Sequence, residues 1–287
     1  MAHTSTAVDT YSFDPFARHP FYTDLNRSLV RRALGRLDGI QPKGALVRIV
    51  EMASGTGAVT QLIADELARL GRPVSIIGIE PSDEAIAIAR AQVQADGVRF
   101  IQGDADALAQ VAGEADAVFL FNAIHLIADK PDALTKIARV LRPGSIFACN
   151  SAFFAGANPA EGEQFAHLWI RRALAWLRLH HPEVRATRRG QGATMAWLSA
   201  DEYASLLALH GLPVVERSLE EVVMPLRAVQ DIGRYWLFIE GALPGVPIPL
   251  AADALEWAAM AAAQELKITG VPRRWLQLVA LRDESRQ

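Results

Sequence analysis

The chain has one cysteine in 287 residues, Cys149, so within a single copy it can form neither a disulfide nor a multi-thiolate metal site. Cys149 lies in an apolar run and reads as a small buried hydrophobe. Histidines and cysteines do not cluster, and no pair of acids has ligand spacing where a metal would be expected, so no metal is assigned. No apolar run approaches bilayer-spanning length, and Met1 to Asp14 lacks a basic region followed by an apolar core; a cytoplasmic location is expected. A formal charge of −3 leaves no general attraction to nucleic acid, which speaks against DNA or RNA as a partner. What is abundant is apolar: 51% hydrophobic and 21% charged residues suit a globular protein with one large core, or a core and a cap.

The most informative stretch is residues 48–57, Arg-Ile-Val-Glu-Met-Ala-Ser-Gly-Thr-Gly, in which a buried-type strand ends in an acid and enters a small-residue loop that opens a helix. Gly55 and Gly57 have no Cβ, so the backbone can turn sharply and approach a ligand closely. A phosphate-binding P-loop needs Lys and Ser or Thr after its last glycine, whereas Gly57 is followed by Ala58 and Val59. A dinucleotide loop needs a third glycine where this chain has Thr60, and Glu51 would repel a pyrophosphate. A carboxylate beside the glycines suits a cofactor whose amino-acid end carries an ammonium and a sulfonium, as S-adenosylmethionine does.

Two later strand ends point the same way. Val74 to Ile79 runs into Glu80-Pro81-Ser82, where an acid can accept both hydroxyls of a ribose, although Glu80 could equally serve as a helix-entry carboxylate. Val98 to Gln102 delivers Gly103-Asp104-Ala105, where Asp104 could accept from an adenine amino group and Ala105 offer a backbone N–H.

With these residues the chain resembles the class I S-adenosylmethionine-dependent methyltransferases. Their first motif, acid-x-Gly-x-Gly-x-Gly, corresponds to Glu51-Met52-Ala53-Ser54-Gly55-Thr56-Gly57, with Ala53 replacing the first glycine and implying negative φ there or a wider loop. The ribose acid corresponds to Glu80, and the third motif to Gly103-Asp104-Ala105. The likeness covers residues 45–155 and continues through a fourth strand into Asn122-Ala123-Ile124-His125, and through Leu141-Arg142-Pro143-Gly144 into a fifth. It implies a Rossmann-like α/β fold: a mostly parallel seven-stranded sheet with helices on both faces, its final strand antiparallel. The cofactor-binding set it implies is Glu51, Ala53, Ser54, Gly55, Gly57, Glu80, Pro81, Asp104, Ala105 and Asn122.

The strand-helix alternation of a parallel sheet runs to about residue 152. Ser199-Ala200-Asp201-Glu202 fits a capping box opening a further helix, followed by strands Pro213 to Val223 and Trp275 to Arg282. The expected organisation is an amino-terminal arm and helix, 1–40, acting as a lid; a cofactor core, 41–152 and 199–224; helical cap insertions, 153–198 and 225–270; and a closing strand and tail, 271–287. The arm is dense in aromatics (Tyr11, Phe13, Phe16, Phe21, Tyr22), which either staple it to the sheet edge or let it close over the cofactor, with Tyr22 as the lid residue.

Methyl transfer is an in-line displacement that chiefly needs alignment and exclusion of water. Where the acceptor must lose a proton, His125 is the candidate base, ahead of His19 and His167. The expected substrate is a small, largely apolar acceptor, with oxygen, nitrogen or carbon methylation in secondary metabolism. Arg171, Arg172, Arg178, Arg185, Arg188 and Arg189 leave room for an anionic one, prenyl diphosphates included. A homodimer is possible. The alternatives are a non-catalytic cofactor-binding module for regulation or interaction, other chemistry on the same fold, and methylation of a macromolecule. The last would favour a proline-containing turn that Asn122-Ala123-Ile124-His125 lacks.

Overall fold

The structure, a computed structural model, describes residues 11–111, 114–187 and 197–284. In chain order its main elements are α1 (Pro20–Leu34), β1 (Val47–Met52), α2 (Ala58–Arg69), β2 (Val74–Glu80), α3 (Asp83–Gln92), β3 (Val98–Gln102), β4 (Ala115–Phe121), α4 (Lys130–Val140), β5 (Leu141–Ser151), α5 (Ala160–His180), α6 (Ala200–Leu209), β6 (Val214–Pro225), α7 (Leu226–Arg234), α8 (Trp236–Ala242), α9 (Ile248–Leu266) and β7 (Gly270–Leu281). The strands form one seven-stranded sheet in the order β3-β2-β1-β4-β5-β7-β6. Strands β1 to β5 pair in parallel, and β7 runs antiparallel beside β5. This is the Rossmann-like α/β fold expected of the sequence.

Continuous apolar runs make the central strands. Every residue of β4 is buried, as in β1 except Arg48, which is how a parallel strand covered on both faces reads. At one end of β4, Asp116 is fully buried and accepts from Gln41 Nε2 and Arg48 N, both at 2.8 Å, and pairs with Arg142. Cys149 lies buried in β5, where loss of solvation pushes its thiol up to about 12, an inert packing residue. Ser199 caps α6 in the reciprocal arrangement its sequence suggests, accepting from Glu202 N while Glu202 Oε2 accepts from Ser199 N. β7 begins at Gly270, five residues before the expected Trp275, because Pro272 and the arginine pair Arg273-Arg274, poor strand signals, are nonetheless built into it.

The chain divides into two compact units. One comprises residues 22–155, 197–220 and 275–287 and holds most of the sheet. Within it Glu66 of α2, itself buried, is bound by Arg31 of α1 at 2.9 Å, Arg27 of α1 at 3.3 Å and Arg69 at 2.8 Å, and these guanidinium groups hold its carboxyl down at about 2.

The other comprises residues 1–21, 156–196 and 221–274 and is mainly helical. Trp169 of α5 donates its indole N–H to Leu255 O of α9 at 2.7 Å and stacks on Phe238 of α8 with ring centroids 5.1 Å apart. The arm's aromatics up to Phe21 belong to this unit: Phe13 packs edge-on against Tyr235 at 5.2 Å, and Trp236 N donates to Tyr11 O at 3.0 Å. They staple the arm to the α7–α8 helices, which corrects the expectation of a sheet-edge staple. His19, the weaker base candidate, places Nε2 2.8 Å from Asp231 Oδ2, and His167 is exposed on α5. Of the arginines considered for an anionic substrate, Arg171, Arg178 and Arg185 are exposed and Arg172 pairs with Glu265; Arg188 and Arg189 lie outside the described residues. This is the behaviour of a solvated helix face.

Candidate functional site

β1 carries Glu51 to the carboxyl end of the sheet, where it is 2% exposed. Thr60, one turn into α2, donates its hydroxyl to Glu51 Oε2 at 2.5 Å. Burial pushes the Glu51 carboxyl up to about 8, the Thr60 hydrogen bond opposes that rise, and the nearby Glu80 charge adds to it.

Between Glu51 and α2 the loop turns through three left-handed residues, Ala53 (φ 52°), Gly55 (φ 54°) and Gly57 (φ 84°). Of the two expectations at Ala53, negative φ or a wider loop, the first is not met: alanine adopts the glycine-like conformation and carries its strain. Ser54 N donates to Ile79 O at 3.1 Å and Gly57 N to Ser54 O at 3.0 Å, which tie the loop to β2 and close it on itself. Gly57 is the residue before α2, and a Cβ there would lie 2.6 Å from Val93 Cγ2, so close approach as well as φ requires glycine.

Glu80 ends β2 beside this loop. Its Oε2 accepts from Gly55 N at 2.9 Å and its Oε1 from Ser82 N at 3.1 Å. Burial moves its carboxyl up, and the two backbone donors partly offset that. Glu80 thus holds the glycine loop as well as facing the strand ends, a role the sequence did not reveal. Pro81 is exposed, and its carbonyl accepts from Gln102 Nε2 at 3.1 Å. Asp104 is exposed after β3, with Oδ1 accepting from Asp106 N at 2.9 Å, and half-buried Ala105 starts the 3-10 turn Ala105–Gln110.

Asn122 follows β4 with φ 47° and is buried. Its N–H reaches Asn150 Oδ1 at 2.9 Å and Asn150 O at 3.0 Å, and its own Oδ1 accepts from Ala152 N at 3.0 Å. Asn150 Nδ2 donates in turn to Asn26 Oδ1 of α1 at 2.7 Å. Asn26, Thr60 and Asn150 were missed in the sequence; the one signal was Asn150-Ser151, a polar pair closing an otherwise apolar strand.

His125 sits in the short 3-10 turn after Asn122, half-buried, with Nδ1 3.1 Å from Ser151 Oγ. Its ring lies 4.3 Å from that of Phe153, and Trp197 meets Phe153 edge-on at 5.7 Å. Ser151 Oγ also accepts from Phe153 N at 2.9 Å and donates to Phe153 O at 3.3 Å. In the arrangement where that donation is made, Ser151 receives the Nδ1 proton of His125 and leaves Nε2 as the acceptor nitrogen. Tyr22 is buried in α1, 3% exposed, edge-on to Trp275 at 6.4 Å, and burial with the Glu51 charge raises its hydroxyl's pKa. That packing is a core position, which corrects the expectation of a mobile lid residue.

The residues present fit S-adenosylmethionine. Ser54 Oγ is buried without a hydrogen-bond partner among the described residues, and Glu51 is a carboxyl whose ionisation a cationic group would favour.

Residues 50–149 match the family model described as a methyltransferase domain. The fatty-acid O-methyltransferase of Mycolicibacterium smegmatis is 35% identical over 100 residues, covering 35% of this chain and 35% of that enzyme. The demethylmenaquinone methyltransferase of Lactococcus lactis is 28% identical over 129 residues, 44% of this chain and 47% of its own length. The chain thus spans less than half of these curated relatives. The crystal structure of the cyclase SpnF shares the fold with a TM-score of 0.56 at 17% identity, covering 91% of this chain and 82% of that one. The family model marks residues 50–149 as a methyltransferase domain, and the sheet order and glycine loop agree with the class I S-adenosylmethionine-dependent type.

Proposed function

We propose that this chain transfers the methyl group of S-adenosylmethionine to a small, largely apolar metabolite, on oxygen, nitrogen or carbon, as a cytoplasmic enzyme of secondary metabolism. The observation that carries the reading is Glu51, a buried carboxyl held by Thr60 beneath a left-handed glycine loop at the sheet's carboxyl end. The names of the relatives, a fatty-acid O-methyltransferase and a demethylmenaquinone methyltransferase, support an acceptor with a lipophilic body.

The bound cofactor supplies an electrophilic methyl on a sulfonium. Glu51 binds the cationic amino-acid end. Glu80 receives the ribose hydroxyls while keeping Gly55 in place, Pro81 and Ala105 flank the base, and Asp104 accepts from its amino group. Ala53, Ser54, Gly55 and Gly57 let the backbone come close, and Asn122 sets the turn that presents His125. His125 Nε2 takes the proton when the acceptor is a hydroxyl, oriented through Nδ1 by Ser151. Tyr22 keeps water from Glu51 from within the core.

The test is calorimetric titration with S-adenosylmethionine and S-adenosylhomocysteine, followed by an acceptor screen of fatty acids and hydroxylated prenyl quinones with mass detection. One-to-one binding weakened by Glu80→Ala and by Asp104→Ala is expected. Absence of binding to the intact chain overturns the reading.

A further inference from the structure

β6 is the last strand in the sheet order, so among the described residues its outer edge has no strand beside it. It is twelve residues long, Val214–Pro225, with a regular alternation of half-buried and exposed positions. Such an edge normally invites pairing with another chain unless it is blocked. Its exposed face reads Val215, Arg217, Leu219, Glu221, Val223, with the three apolar members 44%, 51% and 66% exposed.

That face is self-complementary. If a second copy of β6 pairs antiparallel about Leu219, Val215 lies opposite Val223, Arg217 opposite Glu221, and Leu219 opposite its own copy. On the other face Glu216 meets Val222 and Ser218 meets Glu220, so no like charges are opposed. Neighbouring alignments fail this test. Centring on Ser218 sets Glu216 against Glu220, and centring on Glu220 sets that acid against itself. Parallel, in-register pairing puts every charge against its copy. Glu216 is already neutralised by Arg32 and Arg36, at 3.1 and 2.9 Å. Arg217 and Glu221 each keep an exposed ion pair of their own, with Asp201 at 2.5 Å and Arg274 at 2.6 Å. Across the new edge these extend to an alternating row Asp201, Arg217, Glu221, Arg274.

We infer that two copies of this chain associate through antiparallel β6–β6 pairing centred on Leu219, joining their sheets edge to edge. The twofold contact is isologous and needs only this one strand from each copy. The pairing rests on nothing in the methyl-transfer reading and can fail or stand without it.

Sedimentation velocity of the full chain over a concentration series tests it, with circular dichroism reporting that each variant is folded. The wild type is expected to reach a dimer. Arg217→Glu puts two like-charge contacts into each dimer and weakens it about tenfold, and Arg217→Glu combined with Glu221→Arg restores it. A short bismaleimide couples Leu219→Cys copies to each other but not Val215→Cys copies, which would lie about 26 Å apart. A monomer at every concentration, a dimer indifferent to Arg217→Glu, or a Leu219→Cys protein that does not couple overturns the inference.

Discussion

Thr60 donates its hydroxyl to Glu51 across a buried interval of 2.5 Å, one turn of helix binding the acid at the end of the neighbouring strand. The bond favours the ionised carboxylate in a place where burial favours the neutral acid, and burial wins, leaving the group near 8.

Cofactor binding should therefore release a proton. Below about pH 8 Glu51 is mostly protonated, and a cation placed against it drives the proton off. Calorimetric titrations at pH 7 in two buffers of different ionisation heat are expected to give different apparent enthalpies, and Glu51→Gln to remove the difference. Thr60→Val deletes the bond that lowers the carboxyl's pKa and should weaken binding at pH 7 by about tenfold.

The same carboxyl sets a stability slope in the cofactor-free protein. Its folded pKa exceeds its ordinary value of 4.5, so the folded state holds more protons than the unfolded state between 4.5 and about 8. Stability is fully present below that window and is lost as pH rises through it, by about 5 kcal/mol. Chemical denaturation at pH 5 and pH 8.5 measures the slope, which Glu51→Gln should flatten.

Glu66 works with the opposite sign. Three arginines hold it near 2, so its contribution is present above 4.5 and is lost as pH falls through that value towards 2. Glu66→Gln is expected to cost about 2 kcal/mol at neutral pH, discounted for the partly exposed arginines. It should also flatten the acid limb of the stability curve.

Ala53→Gly should stabilise the fold. Relief of the left-handed strain at φ 52° exceeds the added chain entropy by about 0.5 to 1 kcal/mol, visible as a melting temperature higher by about 2 °C. Gly57→Ala should do the reverse by about 2 kcal/mol or more, since its Cβ would press on Val93.

If His125 is the base, Ser151→Ala frees its ring to rotate. With a hydroxyl acceptor, kcat should fall about tenfold while affinity for S-adenosylhomocysteine stays unchanged. An equal loss with an acceptor that needs no deprotonation would count against the role.

The strands and the glycine loop were legible because their causes are local: apolar runs, small residues and a capping pair at fixed spacing, as at Val98–Gln102 and at Ser199 with Glu202. What was hidden depends on contacts distant in sequence. Asn26 and Asn150 are 124 residues apart and neither has a local pattern. Tyr22 read as an arm residue because its aromatic neighbours Phe13, Phe16 and Phe21 do belong to the arm, while it turns into the core against Trp275. The conformation of Ala53 was misjudged because residue type alone says which φ is comfortable, not which one a fixed strand and helix impose.

The sheet order also dictates a timetable. Strands β1 to β5 occupy adjacent places, so each can pair as soon as the ribosome has delivered it. β6 cannot, because its neighbour β7 is made last, after the 44 residues that separate Pro225 from Gly270. For that interval both edges of β6 are bare, and Glu216, Arg217, Glu220 and Glu221 are the charges that keep the nascent strand from the wrong partner. A nascent chain halted before Gly270 should retain five paired strands and carry β6 as a loose, protease-sensitive tail.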